Sequence, residues 1–124
     1  MKAIHPVLAA CGAALLLSSS AVLAQSLKKV DGVLADAFGM TVYTFDKDTA
    51  GSGKSACTGP CAEMWPPVPV TGDRVAAPYS VVTREDGAKQ LAYKGKPLYL
   101  FAKDTKPGDR KGDKVKDVWH VVTD

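Results

Sequence analysis

The chain carries one motif twice, first as Gly39-Met40-Thr41-Val42-Tyr43-Thr44-Phe45-Asp46-Lys47-Asp48-Thr49 and again as Gly95-Lys96-Pro97-Leu98-Tyr99-Leu100-Phe101-Ala102-Lys103-Asp104-Thr105. Glycine, tyrosine, phenylalanine, lysine, aspartate and threonine recur at one constant offset between the two copies. Self-similarity at a fixed period is typical of a domain built from related structural units. The repeat therefore predicts two related units, and by itself it indicates no reaction.

Residues 1–24 have the features of an export signal. Lys2 is followed by an apolar stretch, and Val22-Leu23-Ala24 has the small-residue pattern of a cleavage site. We expect cleavage after Ala24, which leaves residues 25–124 as a single mature domain. The apolar stretch is too short for a comfortable membrane span, and no other segment is apolar enough to form one. The sequence therefore predicts a periplasmic or secreted protein whose mature chain has no transmembrane span.

A possible lipid-attachment site lies inside the same signal. Leu8-Ala9-Ala10-Cys11 has the letters of a lipoprotein processing site, but the better apolar stretch follows Cys11 instead of preceding it. A targeting segment needs its apolar region before the cleavage site, so we do not expect a lipid at Cys11. Removal of residues 1–24, which carry one lysine and no acid, lowers the formal net charge from +3 to +2. A chain so close to neutral gives no reason to expect a nucleic-acid partner.

Turn signals divide the mature sequence into short strands. Asp31-Gly32 and Asp86-Gly87 each lie between two β-prone runs, and Asp-Gly in that setting is a strong hairpin signal because both central residues of the tight turn need positive φ. Each unit then continues through a glycine turn, a Tyr-x-Phe strand, a long loop and a strand that begins at Trp65 or Trp119. The two units span about 26–70 and 80–124.

The pattern along the chain predicts an all-β fold. No long stretch has a helical period, and short β-prone runs alternate with Gly, Pro and Asp clusters. One short helical turn is expected near 61–65, entered through Pro60 and stopped by Pro66. We expect two tandem antiparallel β units packed as a small sandwich or a partly closed barrel.

The repeated motif also carries a family resemblance. Tyr43-x-Phe45-x-x-Asp48 and its second copy match a Tyr-x-(Phe/Trp/Tyr)-x-x-Asp signature. The chain resembles secreted or lipid-anchored bacterial proteins described as a secreted repeat of unknown function. The resemblance continues through the Cys57–Cys61 loop into Trp65-Pro66-Pro67 and through Trp119-His120-Val121-Val122. It implies an exported repeat protein and no established activity.

The four aromatic residues of the motif have two interpretations. They are Tyr43, Phe45, Tyr99 and Phe101. Buried aromatic rings dominate small cores, so we expect these side chains to meet between the two units. The alternative is a surface platform that stacks on sugar rings or on a protein partner.

The two motif aspartates, Asp48 and Asp104, follow their strands directly. Aspartate at such a place commonly accepts hydrogen bonds from backbone N–H groups in the turn that follows. The alternative is a pair of carboxylates that binds a cation or performs acid–base chemistry, which would require the two side chains to converge.

The two cysteines of the mature chain are Cys57 and Cys61, separated by Thr58-Gly59-Pro60. In an oxidising compartment the first expectation is a disulfide, and the turn-forming residues between the cysteines favour it. The alternative is a copper site with two thiolates, His120 and Met64, a set of soft ligands suited to Cu(I). Thiol–disulfide exchange is a third hypothesis, although the spacing differs from Cys-x-x-Cys.

No catalytic grouping stands out in the sequence. His120 is the one histidine of the mature chain, and no Gly-x-Ser-x-Gly turn supplies a serine nucleophile for it. We therefore predict a non-catalytic, exported β-repeat domain, acting in binding or as a component of the cell envelope, with no cofactor. A copper or redox module and an aromatic platform are the alternatives.

Overall fold

The structure of the protein, a computed structural model, describes residues 27–72 and 74–124. The predictions on the export signal and on Cys11 lie outside these residues. Within the described ranges no helix is long and apolar enough to cross a membrane.

The described residues form seven short strands and one helix. The strands are β1 (Lys28–Val30), β2 (Val33–Ala35), β3 (Tyr43–Phe45), β4 (Tyr79–Thr83), β5 (Lys89–Tyr93), β6 (Lys96–Pro97) and β7 (Trp119–Val121), and the helix is α1 (Pro60–Met64). A 3-10 turn at Val115–Asp117 precedes β7. All strand pairs are antiparallel and make three small sheets, β1–β2, β3–β7 and β4–β5–β6. The all-β prediction is confirmed, and the described strands do not close into a barrel.

Both predicted hairpins form, with different turns. Val30 pairs with Val33, and Asp31 and Gly32 have φ of 50° and 85°, as the tight Asp-Gly turn requires. In the second hairpin only Gly87 has positive φ, so the expectation for Asp86 was wrong. That turn is longer: the Arg84 N–H bonds to the Ala88 carbonyl, and the Ala88 N–H bonds to the Asp86 carboxylate.

The last segment of each unit crosses to the other unit. β7 belongs to the second unit but pairs with β3 of the first, with Tyr43 opposite Val121 and Phe45 opposite Trp119. Likewise, Pro67 of the first unit forms a β-bridge to Tyr99 of the second unit. Each unit therefore completes the hydrogen bonding of its neighbour, an exchange that the sequence analysis did not predict.

The expected tryptophan strand of the first unit is reduced to isolated bridges. Pro67 and Pro69 each make a single bridge, to Tyr99 and Gln90. Proline has no N–H to donate to a sheet, so the Pro66-Pro67-Val68-Pro69 run cannot form a continuous ladder. The corresponding segment of the second unit has no proline and forms the regular strand β7.

An aliphatic cluster packs between the units with matching members from each. The first unit contributes Leu34, Val42 and Val68, the second Leu91, Leu98 and Val122, and all six are buried. Backbone bonds repeat the same symmetry: the Leu34 N–H bonds to the Val122 carbonyl at 2.8 Å, and the Leu91 N–H bonds to the Val68 carbonyl at 2.8 Å. Burial of this aliphatic surface is a main stabilising contribution, and it depends on both units at once.

Helix α1 confirms the predicted helical turn. Pro60 occupies its first turn, where its missing N–H costs nothing, and Gly59 precedes it with φ of 60°. The helix ends where the Trp65 N–H bonds to the Cys61 carbonyl at 2.8 Å. It therefore carries the chain from the cysteine loop into the core position of Trp65.

Candidate functional site

The second core cluster is a stack of four aromatic rings that holds both tryptophans of the chain. Trp65 and Trp119 lie face to face with centroids 3.7 Å apart and planes at 2°. Phe101 stacks on the outer face of Trp65 at 4.1 Å, and Phe45 stacks on the outer face of Trp119 at 4.2 Å. The stack therefore alternates residues from the two units.

Two tyrosines close the sides of this stack. Tyr43 meets Trp65 edge to face at 5.5 Å, and Tyr99 meets Trp119 in the same way at 5.2 Å. Stacked and edge-to-face arrangements are the geometries that aromatic pairs prefer. Both tyrosine side chains are buried, at 0% exposure. Neither ring is available as a surface platform, so that alternative does not fit these two residues.

The tyrosine and aspartate of the motif pair across the units. The Tyr43 hydroxyl donates to Asp104 Oδ2 at 2.6 Å, and the Tyr99 hydroxyl donates to Asp48 Oδ2 at 2.6 Å. The backbones of the two tyrosines also exchange two hydrogen bonds, at 2.8 and 2.9 Å. The motif is therefore a reciprocal lock between the units, since the tyrosine of one copy needs the aspartate of the other.

Each motif aspartate also holds the long loop that follows it. Asp48 Oδ1 accepts the Ala56 N–H at 2.6 Å, and Asp104 Oδ1 accepts the Lys111 N–H at 2.9 Å. The sequence predicted backbone N–H partners in the turn directly after each strand, whereas these partners lie eight and seven residues further on, in the long loops. Because the two carboxylates bind different tyrosines and different loops, they form no shared acid–base pair.

Burial determines the protonation of the tyrosines and aspartates that form the lock. Burial, followed by the hydrogen bond to the neighbouring carboxylate, raises the pKa of both Tyr43 and Tyr99 far above its usual value. Burial also raises the pKa of Asp48, while the Tyr99 hydroxyl, the Ala56 N–H and the Arg84 charge oppose that rise. The tyrosines therefore stay protonated and act as hydrogen-bond donors throughout the physiological range.

Cys57 and Cys61 are joined, with their sulfur atoms 2.06 Å apart. Cys57 is fully buried against the aromatic cluster, and Cys61 lies on helix α1 beside it. The pair therefore fixes the loop that leads into Trp65. In this form neither thiolate is available to a metal.

The copper set does not converge in the described residues. His120 follows Trp119 on β7, so its side chain points to the face opposite the aromatic cluster that contains Cys57. Its Nε2 contacts Asp46 Oδ2 at 2.8 Å. No group of three histidine, cysteine or acidic side chains in the described residues is placed to hold a metal ion. Copper binding by Cys57, Cys61, His120 and Met64 stays a prediction that would require an open disulfide and a moved histidine.

A polar cluster that the sequence analysis did not single out adjoins the Tyr99–Asp48 lock. Arg84 donates to Ser55 Oγ at 3.0 Å, to Gln90 Oε1 at 2.7 Å and to the Cys57 carbonyl. Ser55 Oγ lies 2.7 Å from the Tyr99 hydroxyl, which connects the cluster to the lock. Strand alternation could have indicated the inward position of Arg84, because Arg84 lies two residues beyond the buried Val82.

The long loop of the second unit is held by a second carboxylate besides Asp104, that of Asp109. It accepts hydrogen bonds from the Lys106 ammonium at 2.8 Å and from the Thr105 N–H at 2.9 Å. The Asp109 carbonyl in turn accepts the Thr41 hydroxyl at 2.7 Å. The Lys106 side-chain bond, followed by the Thr105 N–H, lowers the pKa of Asp109 far below its usual range.

The lowered pKa of Asp109 predicts a pH-dependent stability. A carboxyl whose folded-state pKa lies below its unfolded value stabilises the fold above the unfolded pKa, and this contribution is lost as the pH falls below about 3.9. Asp109→Asn should therefore flatten the decline in melting temperature below that pH. Thermal melts from neutral to strongly acid pH would measure it, with Asp86→Asn as the control. Equal acid sensitivity of wild type and Asp109→Asn would contradict the prediction.

Comparison with known protein families places these features in context. Residues 26–69 and 80–123 each match a family described as a secreted repeat of unknown function. The chain belongs to this family. The resemblance drawn from the sequence is thus confirmed, and the two matched repeats coincide with the two units that exchange their last segments. No curated protein and no solved structure matches the chain significantly.

Proposed function

We propose that this family member is a non-catalytic binding domain that acts outside the cytoplasm, in the periplasm or at the cell envelope. One observation carries the proposal. The signature side chains of the family are bonded to one another inside the protein, with both tyrosines at 0% exposure. Residues so enclosed hold the fold together and are not accessible to a substrate, so we assign function to the exposed surface around them.

The surface clefts of the described residues suit ligand binding better than catalysis. Two polar clefts of about 350 and 270 Å³ flank Arg84, and a third of about 250 Å³ contains His120 and Asp46. His120 Nε2 is bonded to Asp46, and β3 places Thr44 opposite His120. The hydrogen bond found for His120 goes to a carboxylate, and none in the described residues connects it to a hydroxyl or thiol nucleophile, which favours binding over catalysis.

A co-sedimentation experiment tests the proposal. The mature protein, kept oxidised, would be incubated with purified peptidoglycan sacculi, with an acidic polysaccharide gel, and with phosphatidylglycerol–phosphatidylethanolamine vesicles. We expect saturable binding to one of these envelope materials and no conversion of it, judged by chromatography of the supernatant. Binding to none of them would contradict the proposal. Release of product that stops in a His120→Ala variant would contradict it as well, because it would indicate an enzyme.

A further inference from the structure

Arg84 is a buried cation without an acidic partner. Its side chain belongs to a residue that is 8% exposed, and its hydrogen bonds go to a hydroxyl, an amide oxygen and a carbonyl. No carboxylate of the described residues lies within ion-pair distance of it, although its charge acts on Asp48 from farther away. Burial of an unpaired charge is costly, so natural proteins usually match such a charge with an anion.

The hydrogen bonds of Arg84 leave part of the guanidinium unused. Of its five N–H groups, the two on Nη1 donate to Ser55 and Gln90, and one on Nη2 donates to the Cys57 carbonyl. The Nε–H and the second Nη2–H have no acceptor among the described residues. Two N–H groups on one planar guanidinium are the donors that bind a carboxylate or phosphate in bidentate fashion.

Two clefts have Arg84 in their linings, and their formal charges differ. The cleft of about 350 Å³ contains Glu85 and Asp86 besides Arg84, so its formal balance is negative. The cleft of about 270 Å³ contains Lys54 and Arg84 against Glu85 alone, so its balance is positive. An anionic ligand is therefore expected in the smaller cleft.

The walls of the smaller cleft favour a hydroxylated ligand. They include Ser55, Thr58 and Thr83. Ser55 Oγ is already bonded to Arg84 and Tyr99, and Thr83 Oγ1 accepts the Lys89 ammonium at 3.0 Å. The Thr58 hydroxyl makes no hydrogen bond to a described residue and is the one that remains for a ligand. Hydroxyl groups can both donate to and accept from the hydroxyls of a sugar. Lys54, at the exposed rim, adds a second positive charge for the acidic group.

We propose that this cleft binds the carboxylate of an acidic saccharide, with Arg84 as the bidentate anchor, Lys54 as the rim cation and Thr58 as a sugar-hydroxyl contact. The inference rests on the proposed binding function and assigns its site. Cys57 and Thr58 belong to the disulfide loop, so the Cys57–Cys61 bond shapes the cleft through the carbonyl that Arg84 holds.

Titration calorimetry with galacturonate oligosaccharides tests the site, with neutral galactose oligosaccharides and galactose phosphate as comparison ligands. We expect the galacturonate to bind, the neutral sugar not to bind, and the phosphate to bind more weakly. Lys54→Glu should weaken galacturonate binding roughly tenfold, as reversal of a rim charge would. The matched control Lys96→Glu, which reverses an exposed lysine of the His120 cleft, should leave the affinity unchanged.

Arg84 itself is tested with Arg84→Gln, whose folding is checked first by its melting transition. A folded Arg84→Gln variant that binds galacturonate like wild type would overturn the proposal. Equal losses in Lys54→Glu and Lys96→Glu would also overturn it, because they would indicate a general charge effect. Wild-type protein that sediments with an envelope material but ignores galacturonate would refute this site and leave the proposed binding function standing. Wild-type protein that binds neither would refute both.

Discussion

Neither repeat should fold when it is separated from the other. Chains covering residues 26–69 and 80–123, the two matched repeats, would each lose a strand partner, because β3 of the first pairs with β7 of the second. Each would also lose half of the aliphatic cluster and half of the aromatic stack. Half a core of this size cannot offset the conformational entropy of folding. Circular dichroism of each separated chain should show no cooperative melting transition.

Mixing the two separated chains supplies the control. The exchanged segments should let them associate into a heterodimer that restores the Tyr43–Asp104 and Tyr99–Asp48 bonds, with near-ultraviolet dichroism from the stacked tryptophans as the readout. A separated repeat that melts cooperatively as a monomer would contradict the interpretation that the units complete one another.

The sequence allowed much of the local structure to be predicted because local signals determine it. The Asp31-Gly32 turn, the helical turn after Pro60 and the division into two units each depend on residues that are neighbours in the chain. Turn conformation and the φ preferences of glycine and proline act over two to four residues, so a single sequence carries them.

The exchange between the units could not be predicted in the same way. A Tyr-x-Phe-x-x-Asp motif looks the same whether its aspartate binds the tyrosine of its own copy or that of the other, since both copies have the same motif residues. Only the pairing of β3 with β7 decides between them, and that pairing is a long-range contact. The sequence of a repeat protein therefore does not show whether its units exchange contacts, because pairing within a copy and pairing between copies use the same residue types.

The candidate site was missed for a related reason. Arg84 lies in a hairpin whose first-unit counterpart carries Lys29, an exposed residue at the same distance before its Asp-Gly turn. The residues that the two repeats share lie in the core. Arg84, Ser55 and the disulfide are instead features that one unit has and the other lacks. Departure from the repeat symmetry is the signal that would have indicated them.

Tyr99→Ala should be the most damaging single substitution in the described core. It removes a fully buried ring from the edge of Trp119, and loss of a core aromatic costs about 3–5 kcal/mol of unfolding free energy. It also leaves the Asp48 carboxylate and the Ser55 hydroxyl without their phenol partner, which adds about 1–3 kcal/mol. Because a domain of this size has about 5–15 kcal/mol in total, a combined loss of about 4–8 kcal/mol should remove a large part of its stability and lower the urea midpoint strongly. Urea denaturation followed by tryptophan fluorescence would measure the loss.

Tyr99→Phe separates the two contributions. It keeps the ring against Trp119 and removes only the hydroxyl, so its cost should be confined to the buried hydrogen bond, about 1–3 kcal/mol. The control is Tyr93→Phe, a half-buried tyrosine outside the stack whose ring contacts Tyr79. If Tyr99→Phe matched that control, the lock would contribute little and the motif tyrosine would serve packing alone. If Tyr99→Ala melted close to wild type, the aromatic stack would not be the centre of stability. Tyr43→Phe should cost a similar amount to Tyr99→Phe, because the Tyr43 hydroxyl also has a second partner, the Gly112 N–H at 3.1 Å, as the Tyr99 hydroxyl has Ser55.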